Sequence, residues 1–308
     1  MLSRSVRQRL GSLLREEART RPGGRVLPAR PPRGKSTDRE VIPAGIDEVL
    51  PGGVVAGRVG SIFVHERLYT ELRERPMPLL KKLTALAADP AARTKRRRAR
   101  DLPEAVAEAT GDPADPAGWE RTLFRNYGHR RMLLLDIETC GLSAAPVFLV
   151  GLCHVGERNL VLRQLFARDY SEERALVAQV AAIASEFDFL VTFNGRTFDI
   201  PFLRDRAVHH RMRFGMDLPH LDLLHVARRR WRGQFRDCRL QTLEWHILRR
   251  RRAGDVDGAA IPGLYHDYVK RGQPHRLLPV FHHNLLDLVA MAELLPHALG
   301  PAGDAREE

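Results

Sequence analysis

An α/β fold with a sheet of mixed strand direction is what the sequence predicts, on three observations. Apolar segments at Met132–Asp136, Val147–Val155 and Leu160–Phe166 follow one another, the last two separated by Gly156-Glu157-Arg158-Asn159. That turn chemistry fits an antiparallel meander. A fourth apolar run, Phe189–Phe193, then stands between two stretches with helical patterning, the alternation expected of an α/β sheet. Beyond a last short strand at Leu221–Leu224, helical spacing dominates, at Leu240–Leu248, Leu264–Val269 and Leu278–Leu295, so helices are left to cover the sheet.

The elements can be justified in chain order. Residues 1–40 carry a short amphipathic stretch (Val6, Leu10, Leu13, Leu14) and then a run rich in Pro, Gly and Arg, which predicts a disordered basic tail. Residues 41–120 read as a small N-terminal module and linker. Val54–Val64 has the pattern of a hairpin, and Leu68–Leu86 reads as helix interrupted by Pro76 and Pro78. Lys95-Arg96-Arg97-Arg98-Ala99-Arg100 suits a solvated linker or a phosphate-contacting patch equally well. Gly111-Asp112-Pro113 and Asp115-Pro116 mark turns. Residues 121–300 form the main domain, and 301–308 a disordered tail. Within that domain Ser171 is placed to cap a helix running to about Phe187. Asn194-Gly195 ends the Phe189–Phe193 strand, and a helix opens near Phe198 with Pro201 tolerated in its first turn.

Bulk properties narrow the class. A hydrophobic content of 44% over 308 residues supports a proper core. No apolar run approaches the ~18 residues of a membrane span, and Arg4, Arg7 and Arg9 precede no apolar signal region. A cytoplasmic protein with no membrane partner is therefore expected. Cys140, Cys153 and Cys238 are scattered and fit small thiols in a reducing compartment. The net charge of +12 favours a polyanionic partner, nucleic acid above all. Arginine predominance suits bidentate phosphate contacts, although it also accompanies the Ala, Gly and Pro abundance of a GC-rich genome.

The chemistry is carried by four carboxylates. Asp136 and Glu138 lie at i and i+2 after an apolar strand, so they project from one face. Two ionised carboxylates that close require a compensating cation, and oxygen ligands suit Mg²⁺ or Mn²⁺. Taken alone, Asp-x-Glu is also an ordinary exit from strand to loop. Asp199 follows Val191-Thr192-Phe193-Asn194-Gly195 at a helix start. A cap is its ordinary role, but strand ends are where open α/β sheets build their sites. Asp287 lies in an otherwise apolar helix, four residues after His283 and on the same face. It is costly there unless satisfied, or it lies on the helix's polar stripe.

In combination these read Asp-x-Glu, Asn-Gly-x-x-Phe-Asp and His-Asn-x-x-Asp, in that order. The set resembles the DEDD superfamily of DnaQ-like 3′–5′ exonucleases, which share the ribonuclease H-like fold. With Thr192-Phe193-Asn194-Gly195 and Ile261-Pro262-Gly263-Leu264-Tyr265, it is similar in particular to the YprB-type ribonuclease H-like family, over roughly residues 131–298. The resemblance implies a mixed sheet flanked by helices, with an N-terminal extension. It also implies two Mg²⁺ or Mn²⁺ ions held by Asp136, Glu138, Asp199 and Asp287, with Asp136 bridging. The implied activity is phosphodiester hydrolysis of DNA or RNA, acting on single-stranded 3′ ends by a two-metal-ion mechanism.

A histidine would orient or deprotonate the attacking water, and an ordinary imidazole pKa near ~6.5 suits that task. One branch of the superfamily places this histidine where His282 stands. The other has Tyr at the position of His283. Helix geometry favours His283, with His282 the alternative, because i and i+4 are nearly aligned. Thr139, Asn194 and Gly195 are candidates to approach the nucleic-acid backbone, and Tyr265 to stack on a terminal base. Arg228–Arg232 and Arg249–Arg252 are either phosphate contacts or solvated helix ends. Two rival functions remain at this point: a catalytically silent nucleic-acid-binding module, and a structure-specific endonuclease on the same fold.

Overall fold

The structure, a computed structural model, describes residues 45–73, 75–87 and 117–300. The expected tails at 1–40 and 301–308, the basic run at 95–100 and the turns at 111–116 lie outside the described residues. In chain order the elements are β1 (Gly53–Gly57), β2 (Gly60–Leu68), α1 (Tyr69–Leu72), α2 (Pro76–Ala87), α3 (Gly118–Tyr127), β3 (Met132–Thr139), β4 (Val147–Val155) and β5 (Leu160–Phe166). Then follow α4 (Glu173–Ala184), β6 (Phe189–Thr192), α5 (Asp199–His209), β7 (His220–Asp222), α6 (Leu223–Trp231), α7 (Leu240–His246), α8 (Ile261–Arg271) and α9 (Leu278–Leu299).

The strands form one seven-stranded sheet in the order β1-β2-β5-β4-β3-β6-β7. The first five are joined antiparallel, while β6 pairs parallel to β3 and β7 parallel to β6. The predicted mixed sheet, flanked by helices, is therefore what forms. β3 is its pivot, with an antiparallel neighbour on one side and a parallel one on the other.

Residues 53–68 differ from expectation. They read as part of a separate small module, yet their hairpin continues the sheet through β2 and β5. The physical reason is alternation in β2: Ile62 and Phe63 are buried against different clusters of the main core. The hairpin covers core on both faces of the sheet, so it cannot fold as a module apart. β1, exposed along its length, is the outer edge.

The sheet has helices on both faces. Met132, Leu134, Phe189 and Val191 pack with residues of α2, α3, α6 and α9. Leu133, Leu135, Ile137 and Leu190 pack with α4 and α5 on the other face. A third cluster, built on Phe63, Phe148, Phe166, Tyr265 and Phe281, closes the β2/β5/β4 end under α8 and the start of α9.

Two local readings need correction. Ser171 is not a helix cap. Asp169 accepts from the Ser171 N–H at 2.8 Å and from its hydroxyl at 2.5 Å, and a 3₁₀ turn at Tyr170–Glu172 leads into α4. The last strand ends at Asp222 rather than Leu224, because the Asp222 carboxylate accepts from the Leu224 N–H at 3.0 Å and starts α6.

Candidate active site

Alternation along β3 decides where its carboxylates go. Asp136 and Glu138 share the parity of Met132 and Leu134 and so project toward the face covered by α9. The apolar, fully buried stretch Met132–Leu135 anchors the strand and leaves Asp136 and Glu138 half-buried at its C-terminal end. Across the sheet Asp136 faces Gly151, and Gly151 faces Gln164. Asn284 of α9 lies over this row. It donates from Nδ2 to Asp136 Oδ2 at 2.7 Å, and its Oδ1 accepts from Gln164 Nε2 at 2.8 Å. Gly151 makes the approach feasible, since a Cβ there would stand 2.2 Å from Asn284 Oδ1.

Asp199 arrives from the other side. β6 pairs with β3 only from Met132 to Leu134, so β3 runs on past its parallel neighbour. The Ile137 N–H would be orphaned there, at high cost in a buried position. Asp199, the first residue of α5 and itself buried, accepts it on Oδ1 at 3.1 Å. The loop carrying Asp199 is fixed by Asp222, which accepts from the Asn194 and Arg196 N–H groups at 2.8 and 3.1 Å.

Asp287 and His283 come one helical turn apart on α9. His283 Nε2 stands 3.6 Å from Asp287 Oδ2, and His283 Nδ1 is 2.7 Å from Asp255 Oδ1. Asp287 Oδ1 lies 2.5 Å from Arg252 Nη2. His282, on the same helix, is buried and bonded to the backbone of Ala253, so it is His283 that stands beside Asp287.

The electrostatics are those of carboxylates that repel one another. Burial, then repulsion from Asp287, Glu138 and Asp199, pushes Asp136 well above the usual carboxylate range, against the hydrogen bond from Asn284. Burial pushes Glu138 up to about 8, with Asp287 and Asp199 adding to it and His283 opposing. Asp199 is raised to about 7 by burial, with backbone N–H bonds opposing and Asp222 and Asp287 reinforcing. Burial alone would lower His283, but the Asp255 hydrogen bond together with Asp287 and Glu138 carries it up to about 9. His283 thus departs from the ordinary imidazole expected from the sequence, shifted upward by its acidic neighbours.

The remaining predicted residues lie elsewhere in the geometry. Thr139 donates its hydroxyl to the Gly141 carbonyl at 2.7 Å. Asn194 is exposed with φ 69°, and the Gly195 N–H donates to Thr192 Oγ1 at 3.1 Å. Tyr265 is a correction. It is fully buried, stacked on Phe148 at 4.0 Å and bonded to the Ala167 carbonyl, so it cannot stack on a base. Its aromatic ring serves the core, packed with Phe148, Phe166 and Phe281.

Sequence reasoning missed Asp255, Arg252, Gln164 and Gly151, and gave Asn284 no role beyond its place in a motif. Asn284 was the recoverable one, lying between His283 and Asp287. Nothing in local spacing singles out the others. Arg252 belongs to a run read as phosphate contacts or solvated helix ends, yet its side chain is only 6% exposed.

Among the described residues, no three His, Cys, Asp or Glu side chains meet at the spacing of a formed metal centre. The donor set nevertheless fits a hard divalent cation. It offers carboxylate oxygens and no thiolate, and their mutual repulsion is of the kind a cation relieves.

A mixed sheet with acids at the end of its pivot strand defines a class, and the RNase_H superfamily model matches residues 133–299. The chain belongs to that superfamily. It is 32% identical over 189 residues to the uncharacterized protein YprB of Bacillus subtilis (strain 168), a match covering 59% of this chain and 45% of that protein. The chain thus spans less than half the length of this relative. Among solved structures, the family B DNA polymerase of the archaeon Pyrobaculum calidifontis overlaps 55% of this chain and 24% of its own, with 16% identity and a TM-score of 0.45. A likeness of that degree carries no conclusion about function.

Proposed function

We propose that this chain is a metal-dependent nuclease that removes nucleotides from single-stranded 3′ ends of DNA or RNA. The observation carrying this reading is that β3, α5 and α9 bring Asp136, Glu138, Asp199 and Asp287 near enough for acidic neighbours to raise the pKa values of the first three. Membership of the RNase H superfamily supports hydrolysis of nucleic acid in general, and the resemblance to DEDD exonucleases supports the 3′–5′ polarity.

The four carboxylates would hold two Mg²⁺ or Mn²⁺ ions. Bound there, such ions supply an activated water and a counter-charge for the phosphate. The chain's own contributions follow from its hydrogen bonds. Asn284 fixes which oxygen of Asp136 is engaged, and the Ile137 N–H fixes Asp199. Asp255 holds His283 through Nδ1, which leaves Nε2 facing Asp287 as the atom that exchanges a proton. Neutralising Glu138 and Asp287 would remove two of the charges that raise His283, while the Asp255 hydrogen bond stays, and so would move Nε2 toward the range in which it can take a proton from water.

The test is a Mn²⁺-dependent assay on 5′-labelled single strands, comparing the wild-type chain with Asp136→Ala. A stepwise ladder from the wild type, abolished by the substitution, is expected. One internal product would mean an endonuclease. Equal binding without cleavage by both proteins would make the chain a silent binding module and end the enzyme reading.

A further inference from the structure

Arg252 lies in the irregular stretch between α7 and α8 and turns inward. All three ends of its fork are engaged by acids. Nε is 2.6 Å from Glu244 Oε2, Nη1 is 3.2 Å from Asp255 Oδ2, and Nη2 is 2.5 Å from Asp287 Oδ1. Glu244 is itself only 4% exposed, so this is an interior pair and not a surface one.

The third contact differs from the other two. Nη2 is close enough to Asp287 for an ion pair but not aligned for a hydrogen bond, and this buried nitrogen has no hydrogen-bond partner. A planar guanidinium cannot improve that arm without disturbing the two already bonded. An unsatisfied buried donor is a standing cost, and it is aimed at the oxygen that the metal reading needs.

We propose that Arg252 is the resident counter-cation of Asp287, which a divalent ion must displace, so that Arg252 sets the metal affinity of the site. The inference rests on the metal-site reading above. A divalent ion arriving at Asp287 Oδ1 meets the guanidinium already there, and a fixed positive charge at that distance opposes the arrival of another. Glu244 and Asp255 keep the guanidinium beside the site after it yields Asp287, so it remains a competitor at every loading event.

The test is calorimetric titration of Mn²⁺ into the full-length, EDTA-stripped chain. Arg252→Gln is compared with the double substitution Arg252→Gln/Glu244→Gln, which avoids leaving the Glu244 charge buried without its partner. Both should bind Mn²⁺ more tightly, by about tenfold or more, equivalent to ~1.4 kcal/mol. Arg251→Gln, at an exposed arginine stacked on Trp245, should leave the affinity unchanged. A purely structural Arg252 would lower the unfolding midpoint in EDTA without tightening Mn²⁺ binding. Equal or weaker affinity in a folded variant therefore overturns the proposal. A second measurement needs no variant to fold: the Arg252 guanidinium resonances of the wild-type chain should shift on adding Mg²⁺, and unmoved resonances at saturation overturn it too. Absence of Mn²⁺ binding by any of the chains would overturn the metal-site reading along with it, whereas equal binding by all would overturn only the role of Arg252.

Discussion

Gly151 lacks a side chain where Asn284 needs the space. Its neighbours across the sheet are Asp136 and Gln164, and the Asn284 amide joins them. Gly151→Ala should force Asn284 off Asp136 and cost about 1–3 kcal/mol, as overpacking commonly does. Urea unfolding measures the cost, and Mn²⁺ affinity should fall with it; an unchanged urea midpoint would show that Asn284 has room to give. Glu138 illustrates the opposite sign. Burial and its acidic neighbours make its charge unwelcome in the metal-free protein. Glu138→Gln should therefore raise the unfolding temperature in EDTA, by about 2–4 °C for each kcal/mol gained in a chain of this size, while lowering activity. A lower temperature in EDTA would mean that its bonds to neighbours outweigh the repulsion.

At the scale of elements, α4 is tied to α5 by an ionic group away from the carboxylate cluster. Glu173, 2% exposed, accepts from Arg206 Nε and Nη2 at 2.7 Å each, from the Val147 N–H at 2.8 Å and lies 2.8 Å from His210 Nε2. Burial alone would raise its pKa, but these partners together hold it below the ordinary 4.5. A depressed carboxylate contributes stability that is present above the unfolded value and lost as pH falls through the folded one. Glu173→Gln should therefore destabilise the protein at pH 7, by about 3–5 kcal/mol, because Arg206 is left buried without its counter-charge. The gap between variant and wild type should narrow as pH falls below 4.5. Denaturant midpoints across that range check it, and a gap that widens on acidification would reverse the assignment.

The whole molecule carries a net charge of +12. Binding to single strands should therefore weaken steeply with salt, with log affinity falling linearly in log salt at about −0.7 per phosphate neutralised. Fluorescence titrations at several salt concentrations measure the slope, and a flat dependence would remove nucleic acid as the reason for the charge. The arginine runs are not all available for this. Arg250 pairs with Glu293, Arg229 with Glu120, and Arg230 donates to the carbonyls of Ala298 and Gly300. Part of the basic character read as a nucleic-acid footprint is thus engaged in contacts within the fold.

Sequence by itself determined the mixed sheet, the strand carrying Asp136 and Glu138, the helix start near Asp199 and the long helix carrying Asp287. Each of these rests on local regularity: alternation in β3, turn chemistry between β4 and β5, and periodicity in α9. It favoured His283, because one helical turn aligns i with i+4, and left His282 as the alternative. What only the tertiary structure decided depends on residues far apart in the chain. Asp199 faces Ile137 because β6 is shorter than β3, and Tyr265 is core because α8 packs it against Phe148 and Phe166 of the sheet. Asp255 and Arg252 meet His283 and Asp287 because the chain between α7 and α8 folds back onto α9. Charge pairing across such separations leaves no period or spacing behind, so the cation beside Asp287 was hidden in what read as a surface run of arginines.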